Sequence, residues 1–192
     1  MRCARTKQWR PMNDILSLTR QPQAFENRVL ERLNSGRSVR CLLIAAVDML
    51  AEAVDLLVGQ VFRKDDYAVK YAVEPLLQGD GPLGELSVRL KLIYGLGAIN
   101  RNEYEDCERL MALCEALNHD RHEYRFTDDK VAGPVSALHC VDTWPTCPNL
   151  SSHDSELRAM QQQRYQQVLR STLVLSLTAL ISPLGLKQAF KK

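Results

Sequence analysis

GPLGELSVRLKLIYGLGAINRNEYEDCERL, residues 81–110, decides the fold, because this one stretch holds two helix patterns with a glycine turn between them. Pro82 suits a first helical turn, where its missing N–H costs nothing, and Asp80 just ahead complements the positive end of the helix dipole. A helix is therefore expected to open there. Leu83, Leu86, Leu90, Ile93 and Gly97 recur at spacings of three and four, the stripe a packed helix buries, and Gly95 and Gly97 close it. The same run also alternates, with Glu85, Ser87, Arg89 and Lys91 set between Leu86, Val88, Leu90 and Leu92, so an amphipathic strand stays open as an alternative. The flanking start and stop signals favour helix. After Asn100 a second helix is clearer: Tyr104, Cys107, Leu110, Met111, Cys114 and Leu117 share one face, and Glu103, Glu105 and Asp106 enrich its first turn.

Two helices joined by a glycine-containing turn form the outline of a DNA-reading motif, whose second helix enters the major groove. The charge has the wrong sign for that task. Residues 102–118 carry five acids against the single base Arg109, a net of −4. Nucleic-acid affinity rests largely on neutralising phosphate with Lys and Arg, so the pair is expected to be core helices that share only the spacing.

The words FRKDDYAVKYAVEPLL (residues 62–77), GPLGELSVRLKLIYGLGAIN (81–100), NEYEDCERL (102–110) and EALNHD (115–120) resemble the mannitol operon repressor family of bacteria. Gly81, Pro82, Leu83, Gly84, Gly95, Gly97, Asn118, His119 and Asp120 carry the resemblance, which runs from Gln23 to about Lys191. It implies an all-helical regulator of sugar-alcohol utilisation that self-associates and lacks an evident DNA-binding domain, and the largely apolar last helix makes a homodimer the expected form. Such a regulator would work through a protein partner, either another regulator or a sugar phosphotransferase component. A looser similarity links the end of the second helix to HEPN-type helical domains, some of which cleave RNA with an Arg, four intervening residues and a His. The matching positions here are Cys114 and His119, so the Arg is missing. Arg109, five positions before Cys114, points away from it by about 140° on an α-helix. C-capping beside Asn118 is the plainer role for His119.

The whole chain of 192 residues is 45% hydrophobic and 25% charged, as in an ordinary globular protein, and its net charge of +2 hides an asymmetry. Residues 1–40 carry nine bases and three acids, residues 41–157 ten bases and twenty acids, and residues 158–192 six bases and no acid. Basic ends on an acidic middle suit weak nucleic-acid contacts through Arg2, Arg5, Lys7 and Arg10 at one terminus and Lys187, Lys191 and Lys192 at the other. They equally suit subunits whose ends meet a neighbour's middle. No secretory signal is visible in residues 1–18, so a cytoplasmic protein without membrane contact is expected. Residues 41–62 are apolar, but Asp48, Glu52 and Asp55 would each cost up to about 3 kcal/mol near a bilayer centre, so a core helix is expected there. Residues 171–181 are apolar but too short to span, given that about 20 residues are needed.

The six cysteines form no CxxC pair or disulfide framework, so reduced thiols are expected. His139, Cys140, Cys147 and His153 are potential zinc ligands, yet their spacing fits no common zinc module. Asp48, Glu52 and Asp55 fall on one helical stripe, and with no His joining them a solvated face is expected rather than a metal site. No cofactor is expected, and no catalytic residue is assigned. The expected fold is all-α, a single-domain helical bundle with a long C-terminal helix, made of a flexible basic arm (residues 1–21) and a helical domain (residues 22–192). Within the domain, Phe25, Val29, Leu30 and Leu33 mark a helix stopped by Gly36, and Ser38 caps the next, which runs to about Phe62. Asp65 and Asp66 open a helix ending near Pro75, Thr127 caps a short helix broken by Pro134, and residues 141–155 read as a loop. Ser155 caps the last helix, residues 156–182, about 40 Å long.

Overall fold

The protein is described by a computed structural model over residues 22–62, 67–78, 81–119, 122–147 and 155–187. Within these residues the chain is an all-α bundle: α1 Pro22–Ser35, α2 Val39–Val61, α3 Tyr67–Leu77, α4 Leu86–Gly95, α5 Arg101–Asn118, α6 Asp129–Ser136 and α7 Ser155–Leu186. No strand occurs among the described residues, so the period-two reading of residues 85–92 gives way to helix. Tertiary burial decides that case, since Leu90 and Ile93 are fully buried on a three-residue spacing.

The bundle is organised around α2. Ser38 adopts an extended conformation, and its hydroxyl accepts the Cys41 N–H at 3.2 Å, satisfying a donor that the first turn leaves free. Beyond that cap nearly every turn is apolar, and Leu42, Leu43, Leu50 and Leu57 are fully buried. Helices α1 and α7 pack on one another and on α2, which α4 and α5 also contact, while α6 rests on α5. Burying each such Leu stabilises the fold by about 1.5–3 kcal/mol relative to exposure. The close approach of α1 and α7 depends on Gly185, because a Cβ there would lie 2.5 Å from the buried Phe25 ring.

Asp48, Glu52 and Asp55 do not form the solvated face expected of them. Glu52 pairs with Arg28 of α1 at 2.8 Å, Asp48 lies 4.0 Å from Arg32 of α1, and Asp55 pairs with Arg89 of α4. The stripe is where α2 is bracketed by its neighbours' arginines. Arg89 is buried, and its second nitrogen donates to the Gly84 carbonyl at 3.3 Å, which pins the turn ahead of α4 to the same contact.

Helix α4 also starts later than Pro82. The Gly81 N–H donates to the Gln78 carbonyl, the Leu83 N–H to that of Leu76 and the Gly84 N–H to that of Gly81, each at 2.8 Å, so Pro82 sits in a tight return on the end of α3. A Cβ on Gly81 would collide with the Pro75 and Leu76 carbonyls. At its other end α4 closes in a Schellman motif, with the Gly97 N–H donating to Tyr94 and the Ala98 N–H to Ile93, both at 2.9 Å. Gly97 holds φ +72°, whereas a Cβ on Gly95 would meet nothing within 4 Å. Only one of the two glycines read as stop signals is therefore required by geometry.

Helix α3 ends two residues past Pro75, as expected, whereas Pro134 lies inside α6 and Pro183 inside α7, which runs on past Ser182. All three fall in the last turn, where a missing N–H removes one bond and little chain remains to be kinked. Asp128 rather than Thr127 occupies the N-cap position of α6 without a side-chain capping bond, its carboxylate instead accepting the N–H of Arg125 in the preceding turn at 2.8 Å. Helix α7, with 32 residues, is longer than expected and is the described helix long and apolar enough to cross a membrane. More than half of its most apolar window is nevertheless buried within the bundle, where Leu169, Leu173, Leu177, Ile181 and Leu184 face α1 and α2.

These geometries separate the glycines experimentally. Gly97→Ala is expected to lower stability by about 1 kcal/mol because of its positive φ, and Gly95→Ala to raise it by about 0.4–1 kcal/mol through the unfolded chain. Gly185→Ala is expected to cost about 1–3 kcal/mol by overpacking against Phe25. Urea unfolding midpoints of the three variants check the order.

Candidate functional site

The densest polar constellation lies on α5 and the segment after α6. Helix α5 opens with a reciprocal capping box: the Asn100 side chain accepts the Glu103 N–H at 2.9 Å, and the Glu103 carboxylate accepts the Asn100 N–H at 2.8 Å. The same carboxylate receives Lys187 from the far end of α7 at 2.5 and 2.7 Å. Lys187, assigned to nucleic acid from its position near the terminus, is thus engaged in an intramolecular ion pair.

One turn on, Asp106 is 1% exposed, and its carboxylate accepts the backbone N–H groups of His139 at 2.7 Å and Cys140 at 2.8 Å. The His139 ring lies on the same carboxylate, Nδ1 to Oδ1 at 2.9 Å. Arg109 completes the cluster by donating to the Ala137 carbonyl at 2.8 Å and to Glu105 at 3.2 Å, with its Nη1 3.2 Å from His139 Nδ1. The Arg101 guanidinium, hydrogen-bonded at 2.7 Å, holds the Glu105 carboxyl below its usual range. Burial pushes the Cys107 thiol well up, and burial with the nearby Asp106 charge pushes Cys140 up to about 12. Both thiols stay protonated at neutral pH and are poor nucleophiles. Tyr104, hydrogen-bonded to Glu108, is likewise raised to about 12, and its ring stacks on Tyr94 of α4 at 4.5 Å.

Beside this cluster a groove of about 510 Å³ opens along α5 and α6. Leu113, Leu117 and Pro134 give it an apolar lining, and Arg109, Tyr124 and Lys130 border it. The Lys130 ammonium lies 5.8 Å from the Tyr124 ring centre. A polyol needs several convergent polar partners, and this lining suits an apolar group better.

The residues that carry the family resemblance do not converge on one site. Gly81, Pro82, Leu83 and Gly84 build the turn before α4, and Gly95 and Gly97 lie at its end. Asn118 ends α5 with its amide donating to Cys114 Sγ at 3.5 Å, and His119 occupies the C-cap position. The two ends of α5 are about 25 Å apart. Asp120, Arg2, Arg5, Lys7, Arg10, Lys191, Lys192 and His153 lie outside the described residues. Cys114, at the position where the HEPN pattern needs Arg, is buried. No group of three or more His, Cys, Asp or Glu side chains able to hold a metal comes together among the described residues.

The Asp106 clamp was missed from sequence. Its signal was present: Asp106 sits beside Cys107 and three and four positions from Glu103 and Leu110, on the edge of the buried stripe. A buried acid demands donors. Those donors lie 33 and 34 residues along the chain, at a distance spacing does not reveal.

An all-helical bundle whose fifth helix is acidic, with three of its acids engaged within the chain, is what the fold and site define. The sequence profile of the family described as mannitol repressor matches residues 25–185, and the chain belongs to that family. It is 67% identical over 181 residues to the mannitol operon repressor of Escherichia coli strain K12, covering 94% of this chain and 93% of that protein. It is 26% identical over 168 residues to fumarase E of the same strain, covering 83% and 96% respectively. Among solved structures, the MtlR–HPr complex of Escherichia coli contains a chain 70% identical, with TM-score 0.82, covering 85% of this chain and 99% of that one. A possible transcriptional regulator, YggD of Shigella flexneri, is 26% identical with TM-score 0.66, covering 83% and 97%.

Asp106→Asn removes one acceptor and turns an amide donor on a backbone N–H, so it is expected to cost about 2–3 kcal/mol, against about 0.5 kcal/mol for Glu108→Gln at the exposed Tyr104 contact. Thiol alkylation followed by mass spectrometry gives a second readout. Exposed Cys41 and Cys147 should label quickly, Cys107 and Cys140 slowly, and Cys140 faster once Asp106 is replaced.

Proposed function

We propose that the protein represses a mannitol-utilisation operon from the cytoplasm through protein contacts, as a homodimer, with an HPr-type phosphotransferase component as one partner and with no catalysis of its own. The similarity that carries this reading is the 70% identical relative whose solved structure is a complex with HPr. The charge on α5 supports the indirect mode. The helix that would have to enter a DNA groove, Arg101–Asn118, carries five acids and two bases, and the described terminal base Lys187 is already paired with Glu103. Direct operator binding through the basic termini is the competing mode.

Fumarate hydration, brought to mind by the fumarase E relative, would need an acid–base pair and cations free to hold two carboxylates. Arg109 instead donates to Ala137 and Glu105, and the His139 ring is occupied by Asp106.

Purified protein is expected to be captured by immobilised HPr and to show no salt-sensitive preference for mannitol operator DNA over scrambled DNA in fluorescence anisotropy at two ionic strengths. A chain beginning at Gln23 should keep HPr capture, because the folded body, residues 22–192, is taken to carry the docking surface. Tight, salt-sensitive operator binding lost on that truncation would replace partner docking by the basic arm. Measurable fumarate hydration that tracks the purified chain would end the non-enzymatic reading.

A further inference from the structure

The groove between α5 and α6 has two unlike ends. Arg109 donates to the carbonyl of Ala137, just past α6, at 2.8 Å, while Lys130 in the first turn of α6 lies over the ring of Tyr124, beyond the end of α5. The two helices therefore run antiparallel, with Arg109 at one end of the groove and Lys130 at the other. Between them Leu113 and Leu117, both buried, form the floor, and Pro134 stands on the α6 side. From Arg109 to Leu117 the groove follows α5 for about 12 Å. Its volume of about 510 Å³ falls inside the roughly 300–1,000 Å³ of small-molecule sites.

The charges at the two ends differ as well. Arg109 is compensated, with Glu105 at 3.2 Å and Asp106 at 3.6 Å. The Lys130 ammonium has the Tyr124 hydroxyl at 3.5 Å and the centre of its ring at 5.8 Å, and no carboxylate within ion-pair distance among the described residues. None of the described residues lining the groove is acidic. An apolar trough with an uncompensated cation at one end selects a ligand with an anionic head and an apolar tail.

We propose that the groove binds an amphipathic monocarboxylate, its head on Lys130 and its unbranched chain of about eight to ten carbons laid over Leu117 and Leu113 toward Ala137. Such a site is independent of HPr docking and of dimer formation. A charge-assisted contact fixes the head, and burial alone holds the tail. An acidic peptide segment fits less well, because its backbone N–H and C=O groups would lie against a lining that offers them few partners. An alkyl chain needs none. Nor is a second carboxylate called for at the far end, where Arg109 already faces two. Ala112 and Ala116 are exposed, so one flank of the chain stays in water and the affinity is modest, with a dissociation constant of about 0.1–1 mM for a ten-carbon acid.

Sodium decanoate titrated as a monomer into the full chain, followed by proton–nitrogen NMR, tests the site. Amides of residues 109–117 and 130–137 should shift together with that affinity. The decyltrimethylammonium cation, which has the same tail and the opposite charge, should bind about tenfold more weakly or worse. Lys130→Met, which keeps the apolar stem and removes the charge, should weaken decanoate about fivefold or more, and Ala116→Phe, which places a ring in the groove from an exposed position, about tenfold. Well-dispersed spectra of both variants show that the fold is intact. Equal binding of the two amphiphiles, or decanoate binding unchanged in Lys130→Met, overturns the carboxylate site. Shifts spread over exposed apolar residues elsewhere, Leu157 and Leu175 among them, mean detergent-like adsorption and overturn it too. HPr shifting the same amides where decanoate shifts none would make the groove a protein-docking surface instead.

Discussion

A helix that is apolar around most of its circumference must be covered on almost every side by other helices, and α2 imposes that requirement on the chain. Helices α1, α4, α5 and α7 all contact it. Apolar contact alone is non-directional and sets the rotation of a helix poorly. The acids at Asp48, Glu52 and Asp55 supply direction, because each must face the basic side chain of a particular neighbour: Arg32, Arg28 or Arg89. Arg89 matters most, since it is buried and a guanidinium there without its carboxylate would be strongly destabilising. The turn that resembles the family most closely is held by the same side chain through the Gly84 carbonyl. Sequence similarity in that turn is therefore first a statement about how α3, α4 and α2 lock together.

Three of the five acids of α5 are engaged within the chain in the same sense. Glu103 closes the helix cap and receives Lys187, Glu105 lies between Arg101 and Arg109, and Asp106 holds the backbone of His139 and Cys140. These acids therefore act as internal acceptors within the bundle.

The sequence was informative where local rules act alone. Ser38 capping α2, the start of α5 after Asn100 and the burial of Cys107, Leu110, Cys114 and Leu117 could be read directly, because each depends on residues within one or two turns. Reading broke down where a residue's role is set by a distant partner. The acidic stripe of α2 looked solvated because its arginines come from other helices, and Lys187 looked free because Glu103 lies 84 residues earlier. Pro134 misled for a different reason: in a final turn the loss is a single bond, so it sits inside α6 without breaking it. Of the nine residues that carry the resemblance, Gly81 and Gly97 have a clear steric reason and Gly95 has none in the fold.

The polar ties at the rim have a consequence for a protein that works by contact. Lys187 joins the end of α7 to the start of α5, Arg170 of α7 donates to the Asn34 carbonyl at the end of α1, and Asp106 fastens the segment after α6 to α5. The more exposed of these ties contribute at most about 1 kcal/mol each, small beside the burial of α2, and the buried Asp106 clamp about 2–3 kcal/mol. Their effect is on register. Each tie selects one sliding position of a helix whose apolar face would tolerate a shift of a turn, so the solvent-facing residues keep fixed relative positions. A docking surface depends on such fixed positions, because binding a partner to a surface that must first be ordered loses affinity to the ordering. The core and its rim ties together hold the described surface in a single arrangement.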